Sequence, residues 1–332
     1  MNLRLFVAAA IRHRLRDSGE RGQAMIYTIT LNPALDRILT VESIEYHNPN
    51  RVDGDERYAG GKGIDVSKAL TRLGVDNKAI GFAGGYTGRE LEGCLFNLGV
   101  NCEFVRISAE TRINVYIHEA AKNRQISFNL RGPFIQSFEL MEMIDTIKRL
   151  KDANYVIISG STPSGVNPII YQKIVEIAKA KGATVILDSD DEPFKAGLRA
   201  KPHIIKPNVH ELERLMATQL NSIGSIVDAA VQVHERGIDV VLVSMGARGV
   251  LLVTEDERWI ARPPRVTVTN TIGAGDSAVA GFVQALVLGE SYKEAAKRAA
   301  ATGTAATLIQ DVSITPENVS TLLAQVSVRR VS

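Results

Sequence analysis

Thr271-Ile272-Gly273-Ala274-Gly275-Asp276, followed by Ser277-Ala278-Val279-Ala280-Gly281-Phe282, is a glycine turn that ends in a carboxylate and opens a small-residue helix. Two readings of it lead to two different folds. As Gly-x-Gly-x-x-Ala it fits the loose dinucleotide fingerprint, which opens a βαβ unit and requires a further strand with an acidic residue about 20 positions on. The sequence downstream reads as alanine-rich helix, which argues against that fingerprint and against an NAD-dependent dehydrogenase. The other reading puts backbone N–H groups at a helix N-terminus, where the macrodipole favours a phosphate in transit, with Asp276 beside it as a base. On its own the stretch is equally a glycine-tightened helix start whose early acid offsets the dipole.

Upstream, short β-branched runs alternate with amphipathic stretches. Strands are predicted at Ala79 to Phe82, Tyr155 to Ser159, Thr184 to Asp188, His203 to Lys206 and Val240 to Ser244, and Met25 to Leu31 opens the pattern. Helices are predicted near 62 to 73, 87 to 98, 137 to 150, 168 to 181, 209 to 217 and 223 to 236. Such alternation implies an α/β fold with a mainly parallel sheet covered on both faces, and sites in such sheets lie at the carboxyl ends of the strands. Residues 35 to 58 and 104 to 131 break the pattern with strands that have no helix between them, as expected for a small antiparallel sheet inserted as a lid. A lid excludes water, which phosphoryl transfer needs if the donor is not to be hydrolysed. The exposed edges of that sheet are a route to a homodimer.

Composition removes several classes. With 332 residues and 45% hydrophobic content the chain builds a large packed core. Lys plus Arg number 39 against 37 Asp plus Glu, a net +2, which gives no electrostatic case for nucleic acid as a partner. Cys94 and Cys102 lack the spacing and His neighbours of a zinc site and read as reduced cysteines of a cytoplasmic protein. No apolar run is long enough for a membrane span. Residues 1 to 24 carry Leu3, Val7, Ile11 and Leu15 at a spacing of four among five arginines; the pattern suits a transit peptide or surface helix, but one serine, two acids and no long apolar stretch favour an N-terminal extension outside the fold.

A second glycine cluster, Ala59-Gly60-Gly61-Lys62-Gly63-Ile64-Asp65, ends a lid strand and opens a helix. Gly60, Gly61 and Gly63 allow a polar ligand to approach the backbone, Lys62 can neutralise a phosphate, and Asp65 can accept from hydroxyls. The same residues also suit a tight turn with a solvated Lys. No GxxxxGK[ST] occurs, so a P-loop is absent. Asn208 and Glu211 have the spacing of a capping pair, and one carboxylate oxygen of Glu211 would remain for another task.

The two glycine signatures, in this order and about 210 residues apart, resemble those of the ribokinase-like PfkB family of sugar kinases. Thr30-Leu31-Asn32-Pro33-Ala34-Leu35-Asp36, Thr111-Arg112-Ile113-Asn114-Val115, Ser159 to Gly165, Lys206-Pro207-Asn208 with Glu211, and Val243-Ser244-Met245-Gly246 with Gly249 are similar to the 1-phosphofructokinase and tagatose-6-phosphate kinase branch. The likeness runs from Met25 to about Gln310, within a kinase domain expected over 25 to 330.

The resemblance implies a three-layer α/β/α body with a β lid. It implies Asp276 as general base and the backbone of Gly273, Ala274, Gly275 and Asp276 as the anion hole. Asp36, Gly60, Gly61, Gly63 and Asp65 would hold sugar hydroxyls, while Arg51, Lys62, Arg112 and Ser161 would hold the substrate's phosphate. Lys206, Asn208, Glu211, Ser244, Gly246 and Gly249 would face ATP, with Glu211 acting indirectly on Mg²⁺. The expected reaction is phosphorylation of a ketose monophosphate, fructose 1-phosphate to fructose 1,6-bisphosphate. Tagatose 6-phosphate or fructose 6-phosphate as acceptor, or a sensor without turnover, are the alternatives.

Two residues depart from the family pattern. Asp65 stands where these kinases usually carry Asn, so an acceptor-only group replaces one that also donates. Ser189-Asp190-Asp191-Glu192 replaces a Ser-Gly-containing run and adds acidity beside the expected ATP site.

Overall fold

The computed structural model describes residues 24–308 and 314–331. The N-terminal extension therefore lies, except for its last residue, outside the described residues. The chain runs through β1 (Met25–Thr30), β2 (Ala34–Val41), β3 (Gly54–Gly60), α1 (Lys62–Arg72), β4 (Lys78–Gly84), α2 (Gly85–Asn97), β5 (Asn101–Ile107), β6 (Arg112–Glu119) and β7 (Arg124–Phe128). It continues through α3 (Ser137–Lys148), β8 (Ala153–Gly160), α4 (Ile170–Ala180), β9 (Thr184–Ser189), α5 (Asp191–Arg199), β10 (Ile204–Ile205), α6 (Val209–Met216), α7 (Ile223–Glu235) and β11 (Val240–Ser244). β12 (Val250–Val253), β13 (Arg258–Arg262), α8 (Ala274–Val287), α9 (Tyr292–Ala306), α10 (Pro316–Gln325) and β14 (Ser327–Arg330) complete it.

Ten strands form one sheet in the order β14-β13-β12-β11-β10-β9-β8-β1-β4-β5. From β11 to β5 the pairings are parallel, and β12, β13 and β14 add antiparallel strands at one edge. Alternate residues of each strand feed opposite faces, as the pleat requires. Ile29, Val156, Ile158, Val185, Leu187 and Val241 pack under α3 to α7, whereas Ile26, Ile157, Ile186, Val240 and Leu242 pack under α1 and α8 to α10. The three-layer α/β/α architecture expected from the alternation is present, with sites available at the carboxyl ends of β1, β8 and β9.

The lid is a separate four-stranded sheet in the order β3-β2-β6-β7. The pairs β2·β3 and β6·β7 are antiparallel, as expected, and the central pair β2·β6 is parallel. Its boundaries differ from expectation at one end: residues 104 to 107 belong to β5 and the main sheet, so the second lid segment begins at Arg112. Asp36 lies inside the first lid strand, beyond the end of β1. α5 and β12 to β14 were not anticipated. Asp191-Glu192-Pro193-Phe194-Lys195-Ala196-Gly197 contains two helix-averse residues, yet Pro193 falls in the first turn, where it is tolerated, and Gly197 packs on Leu187.

Candidate active site

Two glycine turns and the ends of three strands converge on Asp276. Gly273, in the left-handed region at φ 72°, is the N-cap of α8, and Asp276 falls in that helix's first turn, 8% exposed. First-turn amides have no intrahelical acceptor, which leaves those of Gly275 and Asp276 to face the site. The Ala274 amide, one of the four expected in the anion hole, instead donates to the Thr271 carbonyl at 3.4 Å and is spent within the turn. Burial, with the Asp188 and Asp65 carboxylates nearby, pushes the Asp276 carboxyl up to about 8, against the opposing pull of Lys62 and Lys206.

Lys206 lies directly under this turn. Its Nζ is 3.3 Å from where a Cβ on Gly275 would stand and 3.3 Å from Asp188 Oδ2. Asp188, wholly buried near the end of β9, meets Lys62 through Oδ1, also at 3.3 Å. Burial alone would raise its carboxyl; the ammonium groups of Lys206 and Lys62 outweigh that and hold it below its ordinary value. Lys62 in turn lies 3.6 Å from Glu211 Oε1. Burial would lower its ammonium, but Asp188, Glu211 and Asp276 together raise it well above the ordinary lysine range. Two fixed ammonium groups thus converge beside a helix N-terminus, the arrangement that stabilises a phosphoryl group in flight.

On the nucleotide side, Asn208 and Glu211 form the reciprocal capping box that their spacing predicted. The Asn208 amide donates to Glu211 Oε2 at 2.7 Å and the Glu211 amide to Asn208 Oδ1 at 2.8 Å, which leaves Oε1 for Lys62. The Ser244 amide donates to the Pro207 carbonyl, which joins the end of β11 to this turn. Gly246 faces open space, since a Cβ there would meet nothing within 4 Å. Gly249 does not: a Cβ there would stand 2.0 Å from the Ala261 carbonyl, so it is glycine because β13 passes close by. The acidic run after β9 is also accounted for, because Arg214 on α6 pairs with both Asp190 and Asp191.

The acceptor half is built by the lid. Arg112, Asn114 and Tyr116 share one face of β6 at the two-residue strand period. Asn114 donates to Asp36 Oδ1 at 2.8 Å, and a Cβ on Gly60 would lie 2.1 Å from Asp36 Oδ2, so only glycine fits beside that carboxylate. Burial, then the neighbouring Asp65, pushes the Asp36 carboxyl up to about 6. The Arg112 guanidinium is held by three backbone carbonyls, of Asn32 at 2.8 Å, Leu130 at 2.7 Å and Pro33 at 3.4 Å. Asn32 also donates from its side chain to Ser161 Oγ at 3.1 Å and to the Arg131 carbonyl at 3.0 Å. Arg112 and Ser161 therefore flank Asn32 and make a cationic corner at the lid.

Two expected assignments change. Lys62, expected on the substrate's phosphate, is held by Asp188 and Glu211. Arg51 is not brought to the pocket of its own chain: β2 and β3 pair from Ala34↔Gly60 at the pocket to Thr40↔Gly54 at the far end, and Arg51 lies beyond the latter. Six strand residues separate those ends by about 20 Å. Sequence reasoning missed Asp188, Asn32, Asn114, Tyr116 and Lys68. A lone charge closing the apolar run Thr184-Val185-Ile186-Leu187 was the available signal for Asp188. The others have no comparable local mark.

A carboxylate at a cationic helix N-terminus, roofed by a lid with its own anion corner, defines a phosphotransferase that acts on an alcohol group. The comparisons with known proteins agree: residues 25–317 match the pfkB family carbohydrate kinase profile, and the chain belongs to that family. It is a sugar-phosphate kinase of the ribokinase-like fold. A 1-phosphofructokinase of Bacillus subtilis is 35% identical over 306 residues, 92% of this chain and 100% of that protein. A D-tagatose-1-phosphate kinase of Bacillus licheniformis is 34% identical, covering 84% of this chain and 91% of its own length. Among solved structures, phosphofructokinase-2 from Escherichia coli in complex with substrates and products superimposes with a TM-score of 0.87 at 29% identity, covering 91% of this chain and 99% of that one.

Proposed function

We propose that this chain transfers the γ-phosphoryl group of ATP to fructose 1-phosphate, giving fructose 1,6-bisphosphate and ADP. One observation carries the reading: besides the Lys62 and Lys206 ammonium groups at the Asp276 turn, the Arg112 guanidinium stands beside Asn32 and Ser161 at the lid, and we assign it to a phosphate the acceptor already bears. A kinase of free sugars needs only the ammonium groups. The relatives named 1-phosphofructokinase and D-tagatose-1-phosphate kinase support a 1-phosphate acceptor. A 6-phosphate acceptor is the second reading, supported by the phosphofructokinase-2 structure solved with fructose-6-phosphate.

In this reading the kinase unit begins at residue 25 and the lid closes over the sugar. Asp36, Asp65 and the Gly60, Gly61 and Gly63 turn hold its hydroxyls. Asp276 takes the proton of the acceptor hydroxyl as its oxygen bonds to the γ-phosphorus and the bond to the β-phosphate oxygen breaks, releasing ADP. The Gly275 and Asp276 amides, Lys62 and Lys206 carry the charge on the moving group, and Asn208, Ser244 and Gly246 line the nucleotide side.

Mg²⁺ fits the residues present. No group of three or more metal-ligating side chains occurs among the described residues, and a cation that keeps its waters and binds through one carboxylate and the donor's phosphates needs none. Glu211 Oε1, 3.6 Å from Lys62, is the carboxylate oxygen on offer, since both oxygens of Asp188 face lysines. When bound, the cation would neutralise charge on the β- and γ-phosphates.

No helix among the described residues is long and apolar enough to cross a membrane, and a kinase drawing on ATP works in the cytoplasm. Strands β3 and β7 are edges of the lid sheet, and β7 is exposed along its length with Ile126 and Phe128 outward, which suits pairing into a homodimer. The test is ADP release over a panel of phosphorylated and free sugars. Fructose 1-phosphate is expected to give the highest kcat/KM; turnover confined to unphosphorylated sugars would remove the phosphate role from Arg112 and Ser161.

A further inference from the structure

Lys68, on α1 one turn past Asp65, is a buried lysine with two bonds. Its Nζ donates to Asp65 Oδ1 and to the Ala59 carbonyl, both at 2.8 Å, and the two side chains are only 10% and 9% exposed. Desolvating such a pair is costly, and an apolar pair of similar volume commonly serves stability as well or better. Ala59, whose carbonyl Lys68 holds, and Ile64, next to Asp65 in the chain, belong with Leu91 to a buried apolar cluster. The pair's place explains its presence. Burial first, and the nearby Asp65 carboxylate in addition, raise the Asp36 carboxyl in the lid, the Tyr116 phenol on β6 and the Asp276 carboxyl, so Asp65 acts on groups of both halves of the pocket. Its Oδ1 is taken by Lys68, and no hydrogen bond from a described residue reaches Oδ2. Ala59 belongs to the lid strand and precedes Gly60, against which Asp36 packs. One ammonium therefore fixes both a pocket carboxylate and the end of the lid strand.

We infer that Lys68 is a positioning residue and that the Asp65–Lys68 pair sets acceptor selectivity: the ammonium occupies Oδ1 and holds Asp65 in one rotamer, so Oδ2 is turned to accept from a hydroxyl of the sugar phosphate. The inference rests on the sugar-phosphate kinase reading of the site. Lys68 also cancels a third carboxylate charge that would otherwise repel an anionic acceptor beside Asp36 and Asp276. The selected substrate class is a sugar phosphate with a donating hydroxyl at this point; one carrying fluorine or an oxo group there is rejected, because an acceptor then faces an acceptor.

The test is a double-mutant cycle in the full chain with Asp65→Asn, Lys68→Met and the double variant. Kinetics are measured with the best ketose phosphate and with its monodeoxyfluoro derivatives. Lys68→Met is expected to raise the acceptor KM by about tenfold or more, by stranding a buried charge, while the ATP KM moves less than about twofold. The double variant is expected to recover to within about threefold, because an amide needs no counter-charge. The wild type is expected to reject one fluoro derivative by on the order of 10²-fold, and the double variant by less than about tenfold.

Equal shifts in the two KM values, no recovery in the double variant, or unchanged fluoro discrimination overturns the inference. Should Lys68→Met fail to fold, Asp65→Asn decides: it leaves Lys68 buried without its counter-charge, so it must have a weaker acceptor kcat/KM than the double variant, and equality overturns the proposal. A wild-type chain inactive on every phosphorylated ketose sinks the proposed function instead, and the same cycle is then read with whichever sugar turns over.

Discussion

Around Asp276 the body of the protein answers each charge with another: Lys206 and Lys62 bracket Asp188, Glu211 is split between its own helix cap and Lys62, and these groups hang from strand ends and helix starts. The lid works differently. Arg112 is held by backbone carbonyls, which fix its direction without neutralising it, and Asp36 is buried beside an amide and another carboxylate. The transfer half is thus electrostatically closed before substrate arrives, and the lid corner keeps a positive charge unspent. A preorganised transfer site suits a reaction common to a whole family; an unsatisfied lid suits the choice of an anionic partner.

The largest effect should come from breaking the closed half. Lys206→Met leaves Asp188 buried with one cation, and is expected to lower kcat by on the order of 10³-fold and stability by about 3–5 kcal/mol. Steady-state assays and thermal melting read the two together; a fall in one without the other would separate catalysis from folding at this residue.

In the lid, Arg112→Lys keeps the charge but cannot hold three carbonyls in a planar fork. It is expected to raise the acceptor KM by about 10- to 100-fold with the ATP KM unchanged. An equal rise for ATP would mean the two halves are not separable.

Asp36→Asn probes the cost of an unneutralised lid. With its native carboxyl raised to about 6, the wild type binds this proton more tightly folded than unfolded, so stability is lost as pH rises from about 4 to 6. Replacement should therefore raise Tm at pH 8, by about 2 kcal/mol equivalent, with no gain below pH 4, while the acceptor kcat/KM falls. A gain independent of pH would assign it to packing. The smallest effect belongs to Arg214→Ala, whose partners are largely exposed. Kinetic constants should stay within about twofold and stability within about 1 kcal/mol.

The contrast also explains what the sequence could disclose. The transfer half was legible because its demands are local: glycines at two helix starts, a capping pair three residues apart and an acid one residue past a Gly-Ala-Gly turn each leave a short signature. Asp188 was missed because its role depends on two lysines, 126 residues before it and 18 after, meeting at one strand end. Arg51 was misassigned because only the lid register reveals which end of a hairpin faces the pocket. Asp65 was recognised as unusual, but its compensation by Lys68 depends on a burial that no local pattern marks. Gly249 shows the reverse error, a glycine given to the ligand that in fact serves a neighbouring strand.

The central claim is that Asp276 takes the proton of the acceptor hydroxyl at an otherwise intact site. It is tested most directly by Asp276→Asn, comparing kcat for fructose 1-phosphate with ATP affinity in the same preparation. The account predicts a loss of about 10²- to 10⁴-fold in kcat with ATP binding retained. A variant that turns over at the wild-type rate would contradict it.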